Sequence, residues 1–147
     1  MSLTGRKLVL LASLLLFLVG CGPGGPELAD VTGKVTLDGN PLPSARVEFS
    51  PVDEGLSSSS AITDSSGNYV LGFSRDRKGA MPGKYRVQIT TYRNETDSSG
   101  KTVTLPERVP PMYNSQTELE REVVSGKNEF NFPLTGEIKG GAKGKKR

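Results

Sequence analysis

Three features of the chain predict an all-β fold, an antiparallel sandwich of about seven short strands. Apolar residues recur with a period of two, as in "VTGKVTLDG" and "KYRVQIT", and that period turns one face of a pleated strand inward. Turn formers are abundant, with 18 glycines and 10 prolines in 147 residues, and they punctuate the apolar stretches at the close spacing of a sandwich. No segment after residue 30 repeats convincingly at 3.6, so little helix is expected.

The elements follow in chain order. Residues 1–20 read as a secretion signal, with Arg6 and Lys7 as the basic start, "LVLLASLLLFLV" (Leu8 to Val19) as the apolar run and Gly20 as the small residue before the cut. Twelve residues of helix at about 1.5 Å each span roughly 18 Å, short of the roughly 30 Å hydrocarbon core, which argues against a transmembrane anchor. "LVGC" (Leu18 to Cys21) resembles the lipobox of bacterial lipoproteins. That resemblance implies a diacylglycerol on the Cys21 sulfur, cleavage before Cys21 and acylation of the new amine. Acyl chains contribute about 0.8 kcal/mol per buried CH₂, enough for several to hold a protein on a bilayer. Residues 21–29, "CGPGGPELA", read as a Gly/Pro tether. Gly22, rather than aspartate, follows the cysteine; by resemblance to the sorting rule of enteric bacteria this favours the outer membrane.

The sandwich is expected over residues 30–135. Val31, Val35 and Leu37 alternate with Thr32, Lys34 and Thr36, and Gly33 falls in the apolar row; Asp38-Gly39 is a hairpin turn. Ala45, Val47 and Phe49 make the inner face of the next strand. A short strand at Ala61–Thr63 precedes the turn "TDSSGN" and a strand carrying Tyr69, Leu71 and Phe73. Tyr85, Val87 and Ile89 share the inner face of another. The stretch from Arg93 to Gln116 reads as irregular. Two last strands carry Leu119 and Val123, then Phe130, Phe132 and Leu134, with "SGKN" (Ser125 to Asn128) expected to join them as a tight hairpin. Residues 136–147 read as a basic, disordered tail expected to bury nothing.

Composition limits the chemistry. The chain has no histidine, no tryptophan and one cysteine, which excludes Ser-His-Asp and Cys-His catalysis and histidine-based zinc sites. The net charge of +3 is set by the ends: Arg6, Lys7 and five cations from Lys139 to Arg147 exceed it by four, so residues 21–138 carry −4. A mildly acidic body with a basic tail is not the footprint of a nucleic-acid-binding domain.

Each polar cluster has a plain structural account. Asp64, Ser66 and Asn68 have the early spacing of a calcium loop but lack its later ligands, and an Asx turn explains them. "RDRK" (Arg75 to Lys78) reads as a solvated loop, with contact to an anionic polymer or lipid headgroups as the alternative. Lys143 to Arg147 reads as a solubilising cluster able to touch anionic lipid, surface polysaccharide or nucleic acid. Glu118, Glu120, Glu122 and Glu129 suit exposed strand faces better than paired catalytic acids. "NET" (Asn94 to Thr96) fits the N-glycosylation pattern but is expected to be unused. "LPERVPPMYN" reads as a crossover loop and the best place for a partner groove.

"VTGKVTLDGNPLPSARVEFSP", "AITDSSGNYVLGF" and "GAMPGKYRVQIT" together resemble the carboxypeptidase regulatory-like domain. That family has a prealbumin-like (transthyretin-like), immunoglobulin-like seven-stranded sandwich. The end of the chain, "LPERVPPMYNSQTELEREVVSGKNEFNFPL", is similar to small predicted lipoproteins abundant in planctomycete bacteria. The resemblance spans about residues 30–135 and implies a folding, binding or spacer module without catalytic residues. The combined expectation is a non-enzymatic, lipid-anchored module of the cell envelope, outside the cytoplasm. Cys21 is its attachment site, and neither cofactor nor metal is expected. Its partners would be the membrane and an envelope protein or polysaccharide, with no specific nucleic acid. The alternatives are a transthyretin-like small-molecule carrier, which needs an apolar pocket or dimer channel, and a carboxylate hydrolase, which needs two converging acids.

Overall fold

A computed structural model describes residues 24–136. In chain order the strands are β1 (Asp30–Leu37), β2 (Asn40–Pro41), β3 (Arg46–Pro51), β4 (Ser59–Ile62), β5 (Asn68–Val70), β6 (Gly83–Thr90), β7 (Arg93–Thr96), β8 (Thr102–Leu105), β9 (Glu120–Val123), β10 (Lys127–Glu129) and β11 (Phe132–Leu134). A 3-10 turn, Pro111–Tyr113, follows β8.

Two sheets face each other. One gathers β2, β5, β10 and β11 around β1; the other runs β4-β3-β6-β9 and is antiparallel throughout. Alternation drives both. Val31 and Val35 of β1, Val47 and Phe49 of β3, and Tyr85, Val87 and Ile89 of β6 are all buried. Phe49 reaches across the interior to Phe132, with ring centroids 6.4 Å apart, and Phe132 stacks on Tyr69 at 6.2 Å. The folded body begins at Ala29, which is buried and bridged to Ala80.

All seven expected segments carry strands. The arrangement differs from the expectation in three respects. First, β1 runs parallel to β10 and β11, so the first sheet is mixed rather than antiparallel. Second, Ser125–Asn128 does not close a hairpin. The chain reverses at Gly126 (φ 96°), but β9 pairs with β6 and β10 with β1, so it crosses from one sheet to the other. The buried Asn128 amide holds this crossing, accepting from Val124 N (3.0 Å) and donating to Val124 O (2.8 Å) and Asp30 O (3.2 Å).

Third, the stretch after Arg93 is not wholly irregular. β7 and β8 pair only with each other, forming an antiparallel ribbon with Arg93 opposite Leu105 and Thr96 opposite Thr102. Its turn repeats "TDSSG", first met at Thr63–Gly67, at Thr96–Gly100. Both copies fold alike. The Asp64 carboxylate accepts from Ser66 N and Asn68 N at 2.9 Å, and Asp97 accepts from Ser99 N at 2.9 Å and Lys101 N at 3.0 Å. Gly67 and Gly100 sit at φ 80° and 83°, where other residues are strained.

Candidate functional site

The register defines two poles. Asp30, Gly83, Val123 and Gly126 lie together at one, which is also where the chain enters. Arg77 donates to the Pro26 carbonyl at 2.6 Å and stands over the Phe73 ring, 5.5 Å from its centroid, so it clamps the incoming segment there. At the opposite pole lie Leu37 with Leu134, Arg46 with Thr90, and the root of the β7–β8 ribbon. Gly136 lies there too, donating to Asp38 Oδ1 at 2.7 Å.

That second pole is built around the turn Leu42–Ala45. Ser44 takes φ 60°, a left-handed conformation unusual for a residue with a side chain. The buried Thr63 hydroxyl holds the turn from inside, donating to Leu42 O (2.6 Å) and accepting from Ala45 N (2.8 Å). On the outside, Arg93 Nη1 donates to Ser44 O at 2.6 Å and Arg108 Nη2 donates to Pro43 O at 3.2 Å. Two guanidinium groups, at the two ends of the ribbon excursion, therefore rest on adjacent carbonyls. Between them opens a cleft of about 300 Å³, lined by Pro43, Ser44, Thr91, Arg93, Leu105, Pro106 and Arg108.

Glu107 braces this arrangement. Its Oε1 accepts from Thr91 N (2.9 Å), Thr91 Oγ1 (2.9 Å), Arg108 N (3.0 Å) and Val109 N (2.9 Å). Its Oε2 accepts from the Thr90 hydroxyl and from Tyr92 N at 3.4 Å. Partial burial opposes the charge, but the hydrogen bonds from Thr90, Thr91 and Val109 outweigh it and hold the carboxyl down at about 2. This carboxylate is committed to folding the crossover.

A second hollow, about 540 Å³ and open, lies on the outer face of the first sheet, where Lys34, Asn68, Val70, Glu129 and Asn131 form much of its lining. Below it, Phe130 and Asn131 interrupt the pairing between β10 and β11. The Asn131 Oδ1 takes the Lys34 backbone N–H at 2.9 Å, and the Tyr69 hydroxyl donates to Phe130 O at 2.7 Å. Burial pushes the Tyr69 hydroxyl well above its usual range. Gly33 is required there, because a Cβ would stand 1.9 Å from the Phe130 carbonyl oxygen.

No family model matches the chain, and no curated protein matches it. Two solved structures are similar to it. One is a 9R-lipoxygenase from Cyanothece, at 19% identity and TM-score 0.43, covering 74% of this chain and 16% of that one. The other is a DUF3823 family protein from Parabacteroides merdae, at 17% identity and TM-score 0.39, covering 76% of this chain and 47% of that one. The chain thus spans less than half of either structure, and the likeness carries nothing about activity.

The residues marked by the sequence fall in separate places. Cys21 and the basic cluster Lys143–Arg147 lie outside the described residues. Asp64, Ser66 and Asn68 form the Asx turn, with the Asp64 carboxyl lowered mainly by the Asn68 backbone hydrogen bond. Within "RDRK", Arg75, Asp76 and Lys78 are exposed, and the partly exposed Arg77 also grips the Pro26 carbonyl. Glu120 and Glu122 lie on β9 and Glu129 on β10, in different sheets. Asn94 sits in the ribbon, where its Oδ1 accepts from the Thr104 hydroxyl at 2.8 Å. "LPERVPPMYN" does line a cleft, through Leu105, Pro106 and Arg108. The roles of Arg93, Ser44 and Thr63 were not visible in the sequence, since only the tertiary turn brings them together.

Proposed function

We propose that this chain is a lipid-anchored module of the cell envelope, of the carboxypeptidase regulatory-like kind, with a non-catalytic binding or supporting role. The observation that carries this reading is Cys21 at the end of an apolar leader. The clamped entry of the chain at one pole supports it, because the cleft and ribbon then stand at the end remote from the attachment point. Among the described residues, no group of three or more His, Cys, Asp or Glu is placed to hold a metal ion. The carboxylate best held in the fold, Glu107, has its oxygens taken up by backbone and hydroxyl donors and serves the crossover.

The test is mass spectrometry of the N-terminal fragment from membranes of cells expressing the chain, with Cys21→Ser alongside. The expected result is a fragment starting at Cys21 with acyl mass added, and release of Cys21→Ser from the membrane fraction. An unmodified thiol, or full membrane retention of the variant, overturns the anchor.

A further inference from the structure

We propose that the cleft between Arg93 and Arg108 is an oxyanion subsite whose ligand is the carboxylate or sulfate group of an acidic glycan. The argument starts with the two guanidinium groups. Each uses one nitrogen on an adjacent carbonyl, Ser44 O at 2.6 Å and Pro43 O at 3.2 Å, and both residues line the same cleft. Bringing two cations together is unfavourable unless an anion sits between or beside them.

Among the described residues, the neighbouring acids supply an anion to Arg93 but none to the Arg108 guanidinium. Glu95 pairs with Arg93 through Nε at 2.6 Å, on the ribbon side. Glu107 has its oxygens taken up by Thr90, Thr91, Tyr92, Val109 and the backbone N–H, not the guanidinium, of Arg108. Among the described residues Arg108 forms no ion pair. Its remaining guanidinium N–H groups and those of Arg93 are the planar, charged donors that bind oxyanions well.

The backbone of the same turn adds a second sign. Ser44 is held at φ 60° although a glycine would sit there without strain, and its carbonyl is the one that fixes Arg93. Strain held by surrounding structure concentrates at binding sites. The third sign is the lining. Pro43, Leu105 and Pro106 place apolar surface beside the two cations, a pairing that suits a sugar ring bearing an acidic group. At about 300 Å³ the cleft is at the small end of ligand sites and takes one sugar unit. The inference does not depend on acylation of Cys21 and can fail separately from it.

The experiment is nuclear magnetic resonance of the full ¹⁵N-labelled chain in detergent micelles, reading the side-chain Nε–H signals of Arg93 and Arg108. The probes are glucuronate, sulfate, glucose and a blocked aspartyl peptide. Saturable shifts of both signals with glucuronate or sulfate and none with glucose are expected. Arg108→Gln should weaken binding at least tenfold, and Arg93→Lys, which keeps the charge but not the fork, several-fold. Shifts that stay linear, or that appear equally at the exposed Arg46 and Arg75, overturn the site. Saturation by the peptide alone overturns the glycan. Wild-type shifts decide the matter even if a variant fails to fold.

Discussion

Glu107 shows how much of this fold hangs on single polar groups in irregular backbone. Pro106, Pro110 and Pro111 deny the crossover regular ladder bonds, and one carboxylate replaces them by gathering amides from Thr91, Arg108 and Val109. Thr63 does the same inside the Leu42–Ala45 turn with a hydroxyl. Because the Glu107 carboxyl is held at about 2 against an ordinary 4.5, its contribution has a definite pH dependence. A lowered pKa means that the unfolded chain binds the proton more readily. The stabilisation is therefore complete above about 4.5 and fades as pH falls toward 2. Glu107→Gln removes the charge and turns an N–H₂ group toward donors. It should cost about 1–2 kcal/mol in urea unfolding at pH 7, after allowing for its exposure. The gap between variant and wild type should close between pH 4.5 and 2; a gap constant with pH would assign Glu107 no charge-dependent role.

Among the elements, β1 carries the most connections, pairing with β2, β5, β10 and β11, and Gly33 lies at its centre. Replacing it with alanine would drive a Cβ to 1.9 Å from the Phe130 carbonyl oxygen and 2.9 Å from Tyr69. The nearest obstacle is backbone, so the loop between β10 and β11 has to shift. Gly33→Ala should lose at least about 2 kcal/mol, read as a lower denaturation midpoint, and should weaken protection of the Phe130 amide, which donates to Thr32 O at 2.9 Å. An unchanged midpoint would mean that the loop yields freely.

The same strand shows what the sequence can reveal. Its alternation is plain, because burial on one face imposes a period of two, and the same holds for β3 and β6. The close approach at Gly33 is silent, since a glycine in the apolar row looks like a weak strand residue. The ribbon was hidden for another reason: β7 and β8 bury almost nothing, so no apolar alternation marks them, and only the second "TDSSG" does. The parallel pairing of β10 was illegible because "SGKN" specifies a reversal, while the partner of the outgoing strand is set by Asn128 reaching Asp30 O at 3.2 Å. The arginine cleft depends on that long-range topology entirely.

For the whole molecule, the direction of the sandwich follows from where the chain enters. The eight residues of β1 run from the entry pole to the far pole, about 26 Å at 3.3 Å per residue. Between the Cys21 thiol and Pro26, which Arg77 grips at 2.6 Å, the few intervening residues reach at most about 18 Å when extended. Under the proposed acylation of Cys21, a tether shorter than the body lets the sandwich lean but keeps its entry pole nearer the bilayer on average. The ribbon turn at Ser98 should then stand away from the bilayer, and the loop at Asp76, beside Arg77, close to it. Fluorophores placed by Ser98→Cys or Asp76→Cys, with acceptors on the lipid headgroups of vesicles carrying the acylated chain, measure this directly. Transfer from position 76 should exceed that from position 98, with the mean separations differing by roughly the length of the strand, about 26 Å. Equal transfer would mean that the body lies flat on the bilayer, where ribbon and cleft would face lipid. Stronger transfer from position 98 would mean that the far pole itself binds membrane, and the acidic-glycan assignment of the cleft would fall with it.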